Sequence, residues 1–304
     1  MLIFEHVDEH LDMATLREIR HRITGVKNTQ KITKAMKMVA AARLRRAQEA
    51  IISTRPYSRK LGELLRHLVT KVDVKLNPLL EGRETKTALL VVVTADRGLC
   101  GSFNSNIIKA AVHRLQAQGL VVTKVMTIGR KGTDFFGKRK YDVESRHPGI
   151  FSDLDFDHAR SFMREIIEGY LGGRYDKVEV IYNEFKSVIQ QRIVVEQLLP
   201  IPPEEVQPSK DLKSLAQVDY IYEPSSEEII NALVPRHLNF QMWRILLESN
   251  AAEQGARMTA MDNATENARE LIRDLTLKFN NARQASITKE LLEIVSGAEA
   301  LKAS

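Results

Sequence analysis

A single cysteine, Cys100, excludes an internal disulfide framework and fits a reducing compartment. It has no cysteine partner and no obvious histidine companion, so it is read as a packed thiol rather than a nucleophile. No apolar run approaches the roughly 20 residues that a membrane-crossing helix needs. His6, His10, His21, His67, His113, His147, His158 and His237 form no HExxH motif and no Cys/His cluster, so no metal site is expected. Phosphate fingerprints are missing as well. The turn Asp96 to Gly101 follows a strand pattern and precedes a helix pattern, but two glycines three apart make neither a Walker loop nor GxGxxG. It is read as a structural turn, and neither catalytic residues nor a cofactor are expected.

What is present is long-range periodicity at both ends of the chain. Leu247, Ala251, Gln254, Met258, Met261, Thr265, Ala268, Ile272, Leu275, Phe279 and Ala282 alternate four and three apart, the heptad seam of a helix that pairs with another. Leu16, Ile19, Ile23, Val26, Gln30, Thr33, Lys37, Ala40, Leu44, Ala47 and Ile51 carry the same alternation. Two such seams flanking a globular stretch predict a long antiparallel two-helix coiled coil formed by the N- and C-terminal helices. If helical throughout, Pro235 to Leu301 would extend on the order of 100 Å. Many seam residues are small or polar, so close approach comes with little apolar burial. Such a rod needs other proteins around it.

Between the ends the texture changes. Ala88 to Val93 and Val121 to Ile128 read as strands, and Asn104 to Leu115 and His158 to Leu171 as helices. Lys177 to Phe185 and Val188 to Leu199 read as two more strands, paired as a hairpin. The alternation predicts a small central Rossmann-like βαβ domain and an α/β fold class. Pro200 to Gln217 reads as a linker or irregular arm, and after Val218 to Tyr222 the chain enters the last helix, with Ser225 to Glu228 at its start. Pro56 is expected to kink or end the first helix, with Leu61, Leu64, Leu65 and Leu68 on a following one. The expected segments are a flexible extension at 1–12, the N-terminal helices at 13–72, the α/β domain at 73–222 and the C-terminal helix at 223–304.

Composition is ordinary for a folded protein, with 43% hydrophobic and 28% charged residues. The formal charge of +6 suits nucleic acid, an anionic membrane face or acidic protein partners. Cations crowd the first helix, among them Arg17, Arg20, Lys27, Lys31, Lys34, Arg43 and Arg46. Composition alone leaves two readings open, a solvated or nucleic-acid-binding face and a rod turning against acidic partners. A nucleotide-dependent α/β enzyme is a further alternative without a phosphate fingerprint.

Particular residues separate these readings. Thr29 to Ala42, with Leu44, Arg45 and Arg46, closely resembles the N-terminal helix of the gamma subunits of F-type ATP synthases. Arg257, Met258, Ala260 to Thr265, Ala282 to Thr288, Glu290, Leu291 and Glu293 to Gly297 resemble that family's C-terminal helix, and Asp96 to Gly101 with Phe103 and Asn104 its central domain.

The resemblance implies a central rotor stalk in a proton-translocating enzyme, coupling rotation of the c-ring to ATP synthesis at the beta subunits and doing no catalysis itself. Implied partners are the alpha and beta subunits, epsilon and the c-ring, and no nucleic acid. Met36 and Arg257 then match positions near the acidic lever loop of beta. Gln284, Thr288 and Glu290 match the upper collar of the hexamer, and Tyr220, Tyr222 and Glu223 the foot on the c-ring. No inserted cysteine pair interrupts the strand region, unlike the chloroplast form. Met1 to Asp12 holds Glu5, Asp8, Glu9 and Asp12 without Lys or Arg, the reverse of an import signal, and Met13 is a second candidate start. The expected location is the cytoplasmic face of a bacterial plasma membrane, as a peripheral protein. The purified chain alone is expected to have no appreciable ATPase activity; turnover proportional to its concentration, after contaminants are excluded, would contradict this.

Overall fold

The computed structural model describes residues 3–69, 77–117, 121–188, 190–202 and 225–302. Two helices dominate it, α1 at Ile3–Val69 and, at the other end, Ser226–Lys302. The chain divides into two compact units, 1–39 with 260–304 and 40–259, so both long helices contribute to each.

In the first unit the expected seam is the buried one. Thr33 is buried and Leu16, Ile19, Ile23, Val26, Gln30 and Lys37 are half-buried, while most residues between them are exposed. On the partner helix Met261, Thr265 and Ala268 are buried, and Ile272, Leu275, Phe279 and Ala282 half-buried. Thr33 meets Thr265 at 2.8 Å, and Lys37 meets Asp262 at 2.5 Å. Numbers that rise on one helix fall on the other, so the pair is antiparallel.

The second unit is built on a five-stranded sheet. Its strands are β1 (Thr87–Val93), β2 (Val122–Ile128), β3 (Val143–His147), β4 (Lys177–Phe185) and β5 (Gln191–Leu199), in the order β3-β2-β1-β4-β5. The first four are parallel and β5 returns antiparallel to β4, as the expected hairpin. The connecting helices are α2 (Phe103–Ala117), α3 (Arg130–Gly137) and α4 (Phe156–Leu171); the C-terminal helix Ser226–Lys302 is α5. β1 is apolar on both faces because both are covered. Leu89, Val91 and Val93 join a core with α4, the first turns of α5 and Leu65 and Leu68 of α1; Leu90 and Val92 join one with α2 and α3.

Gly129, between β2 and α3, shows how tightly that second face closes. Its φ is +93°, and a Cβ there would lie 2.0 Å from the Thr94 carbonyl oxygen. Only glycine fits both demands.

Several details differ from the sequence expectation. α1 starts ahead of Ala14 and runs through Pro56 without a break, so no separate following helix exists. Proline removes one helical hydrogen bond, but packing beyond it holds the chain helical: Tyr57 stacks 4.4 Å from Phe240, and Leu61, Leu65 and Leu68 are buried. α3 and β3 were missed because each is short and β3 offers a single aliphatic residue, Val143. β5 starts at Gln191, since Val188 lies in a turn where Ser187 N–H donates to the Gln190 carbonyl at 3.0 Å. Ile201, expected in a linker, is buried and donates its N–H to Leu79 at 3.0 Å. The rest of the linker or arm, 203–217, and the segment 218–222 that leads into the last helix lie outside the described residues. Ser225 caps α5 by accepting from Glu228 N–H at 3.2 Å.

One buried charge gives the sheet a pH signature. Glu179 of β4 is 3% exposed, gripped by both Nε and Nη2 of Arg114 from α2 at 2.8 and 2.6 Å and by Lys177 at 2.8 Å. Burial pushes its carboxyl up, but the bonds from Arg114 and Lys177 outweigh this and hold it below the usual carboxylate range. A depressed folded-state value means stability that is present above the unfolded value, about 4.3, and lost as pH falls through the folded one. Asp176, held down by the N–H groups of Thr87 and Lys86, acts in the same sense. Thermal unfolding at pH 7 and below pH 4 should therefore show a smaller acid loss in Glu179→Gln than in the parent, from a lower starting midpoint. An identical acid loss would disprove the assignment.

Candidate interaction surfaces

The turn after β1 also meets α5. Ala95, Cys100 and Phe103 cluster with Ala252 of α5, and Phe185 and Ala256 pack against them. In open α/β sheets, ligands enter at the carboxyl ends of the strands where the strand order reverses. That place is the gap between β1 and β4, and here α5 fills it. Cys100 is buried, and desolvation pushes its thiol up, the opposite of an activated nucleophile.

Charged groups around this plug are directed inward. Arg257 is 8% exposed and donates to the Gly98 carbonyl and to Glu253 on its own helix. Burial pushes the Glu253 carboxyl up, and Arg257 pulls against it. More than three turns earlier on the helix, Arg244 donates to Tyr182 Oη at 3.1 Å and to Glu196, tying α5 to the β4–β5 hairpin. Tyr182 Oη donates in turn to the other Glu196 oxygen at 2.9 Å.

Outside its seam, the helix pair of the first unit is decorated differently on each strand. α1 exposes Lys27, Lys31 and Lys34, together with Ile32 and Met38. The C-terminal part of α5 exposes Leu277, Ile287, Leu291, Leu292, Ile294 and Val295, Ile294 to 68%. Solvated helices do not ordinarily carry such a series. It escaped sequence reading because attention to the seam period passes over apolar residues off the seam.

The residues singled out by resemblance fall into three groups. Met36 is half-buried beside the seam, whereas Arg257 is turned into the protein. Gln284, Thr288 and Glu290 are exposed, with Thr288 Oγ1 donating back to the Gln284 carbonyl at 2.9 Å. Tyr220, Tyr222 and Glu223 lie outside the described residues. Sequence reasoning missed the roles of Glu253, whose partner Arg257 lies one turn on along its own helix, and of Asp96, whose partners are backbone groups distant in the chain. Among the described residues no group of three or more His, Cys, Asp or Glu side chains is arranged to hold a metal ion, and no helix is long and apolar enough to cross a membrane.

Terminal helices paired antiparallel, in one chain with an α/β domain built on a five-stranded sheet, define the fold class. The family model described as ATP synthase matches residues 15–301. An ATP synthase gamma chain from Chloroherpeton thalassium is 55% identical over 305 residues, covering 96% of this chain and 100% of that one. One from Salinibacter ruber is 48% identical over 307 residues, with 96% and 100% covered. Among solved structures, a chain of the Tetrahymena thermophila mitochondrial ATP synthase central stalk and c-ring is 29% identical, with a TM-score of 0.60 over 77% of this chain and 99% of that one. A chain of the Euglena gracilis mitochondrial ATP synthase shares the fold at 20% identity, with a TM-score of 0.65 and 95% of each chain covered. The chain belongs to the family of ATP synthase gamma chains.

The seam supplies its own test. Each hydroxyl also lies within reach of a carbonyl on its own helix, Thr265 Oγ1 of Met261 at 2.7 Å and Thr33 Oγ1 of Gln30 at 3.1 Å, and either can donate across the seam. Thr33→Val removes that buried hydroxyl and should cost about 1 kcal/mol. Lys37→Ala removes an exposed ion pair and should cost roughly 0.2–1 kcal/mol, shrinking with salt. Helix melting followed by circular dichroism at low and high salt separates them, because the Thr33→Val loss should be salt-independent; equal salt sensitivity would refute the distinction.

Proposed function

We propose that this chain is the central stalk of a proton-translocating F-type ATP synthase, a non-catalytic subunit that couples c-ring rotation to ATP synthesis at the beta subunits. The observation that carries the reading is the antiparallel helix pair of the first unit, held by Thr33–Thr265 and Lys37–Asp262, with dissimilar outer faces. A shaft with different faces stabilises a different conformation in each catalytic subunit it meets, which is population shift by differential contact. The relative from Tetrahymena, described as central stalk and c-ring, supports the same assignment.

In this reading alpha and beta surround the helix pair, the α/β domain and the foot meet the c-ring, and epsilon is a further partner. Met36 and Arg257 serve the acidic lever loops of beta, Met36 directly and Arg257 from its bonded position. Gln284, Thr288 and Glu290 meet the upper collar, and Tyr220, Tyr222 and Glu223 form the foot on the c-ring. The four segments 1–12, 13–72, 73–222 and 223–304 divide the labour between extension, shaft and domain. The protein works at the cytoplasmic face of a bacterial plasma membrane, held there by its partners. α5 seated in the crevice between β1 and β4 argues against the competing reading as a nucleotide-dependent enzyme.

Co-purification with alpha and beta, followed by ATP-driven rotation of the reconstituted complex, tests the proposal. Within that complex, shaft integrity should outweigh any single surface ion pair. Ala268→Pro introduces a residue costing roughly 3 kcal/mol in a helix interior at a buried seam position, whereas Arg269→Ala removes only an exposed pair with Glu266. Ala268→Pro should abolish rotation or assembly and Arg269→Ala leave both nearly intact; the reverse result would replace a stiff shaft with a specific ionic contact.

A further inference from the structure

The turn between β1 and α2 is restrained from two directions. Beneath it, the Asp96 carboxylate accepts three backbone N–H groups: Arg130 at the start of α3 at 2.8 Å, Gly149 after β3 at 2.7 Å, and Phe151 at 2.9 Å. One side chain at the end of β1 therefore gathers the segments that leave β2 and β3. Asn104 restrains the turn from the other side. Its carbonyl accepts from Ala95 N–H at 2.9 Å, and its amide donates to Cys100 Sγ at 3.2 Å.

Between these restraints the backbone takes conformations that it would not keep alone. Leu99 has φ 63° and Gly101 has φ 59°. A non-glycine residue in that region persists where its surroundings over-determine it. Leu99 is 66% exposed, so its own side chain supplies little of that determination. What the conformation achieves is the direction of the Gly98 carbonyl, which accepts from the buried guanidinium of Arg257 on α5. Arg257 is in turn fixed by Glu253 one turn back.

We propose that Asp96 is a positioning residue for mechanical coupling: through the Gly98 carbonyl and Arg257 it fixes α5 to the sheet, so that load on the domain reaches the helix. The proposal rests on the stalk reading above. It adds a residue whose carboxylate is engaged by main-chain N–H groups and that does its work two residues away. A carboxylate is required because one group must accept from three N–H donors; an amide of the same shape would present its own N–H groups to one of them. Asp96→Asn should therefore loosen the turn while preserving its size.

The experiment is a double-mutant cycle in the reconstituted complex, with protons pumped per ATP hydrolysed as the readout. Asp96→Asn and Arg257→Gln act on opposite sides of one carbonyl, so each should lower the ratio several-fold and the double variant should be no worse than either. Tyr175→Phe, which removes a buried hydrogen bond to Ile166 at 3.0 Å, serves as a control for plain destabilisation and should remain coupled. Full coupling in Asp96→Asn, or defects that multiply in the double variant, would overturn the proposal. If a variant does not assemble, amide exchange in the full-length chain decides instead. Asp96→Asn should then speed exchange in 98–104 and 252–258 and leave β5 unchanged, and exchange equal to the parent's would overturn it. Failure of the parent chain itself to join alpha and beta would sink the stalk reading and leave the exchange result standing as the test of Asp96.

Discussion

Close approach of two antiparallel helices is the constraint on which the rest depends. Small and short polar residues line the seam, Thr33, Thr265 and Ala268 in the first unit and Ala40, Ala47 and Ala251 in the second. Such residues let backbones come near each other but bury little apolar area, so the pair is held by fit more than by hydrophobic driving force. The apolar side chains left over are on the outside, at the C-terminal part of α5. A protein whose spare hydrophobic surface faces outward is made to be enclosed.

The α/β unit solves a different problem. A parallel sheet must be covered on both faces, and long helices from opposite chain ends supply part of one cover. α5 contributes Ile230, Val234, Leu238, Met242, Ile245 and Leu246 to the core that it shares with α4. It then crosses the rim of the sheet, where Ala252 and Arg257 occupy the crevice that related folds leave for a ligand. The sheet thus serves as a mount.

Much of this was legible in the chain because burial with a fixed period leaves a repeating mark. The seams, the buried strand β1, the helix α2 and the β4–β5 hairpin all carry such marks. α3 and β3 do not: one is a short amphipathic turn rich in charge, the other an edge strand of five residues. Pro56 was misread because a local rule about one hydrogen bond was outweighed by tertiary packing of Tyr57 and the leucines after it. The role of Asp96 was invisible for a different reason. Its partners are main-chain N–H groups 34 to 55 residues away, and a backbone group has no signature in a sequence. Resemblance identified Arg257 by position, yet only folding reveals that its guanidinium is committed to Gly98 and Glu253.

The heptad spacing of the seam has a chiral consequence. A repeat of 3.5 residues is shorter than the natural turn of an α-helix, so helices that keep such a seam together wind about each other in a left-handed sense. A wound pair is not symmetric to twisting. Torsion applied in one sense tightens the winding and presses the small seam residues together, where hard contacts resist. In the opposite sense it opens the winding and is resisted only by weak attractions and a few hydrogen bonds, such as that between Thr33 and Thr265. The helix pair is therefore a spring with unequal stiffness in its two directions, and that inequality is written in the choice of Ala and Thr over larger residues.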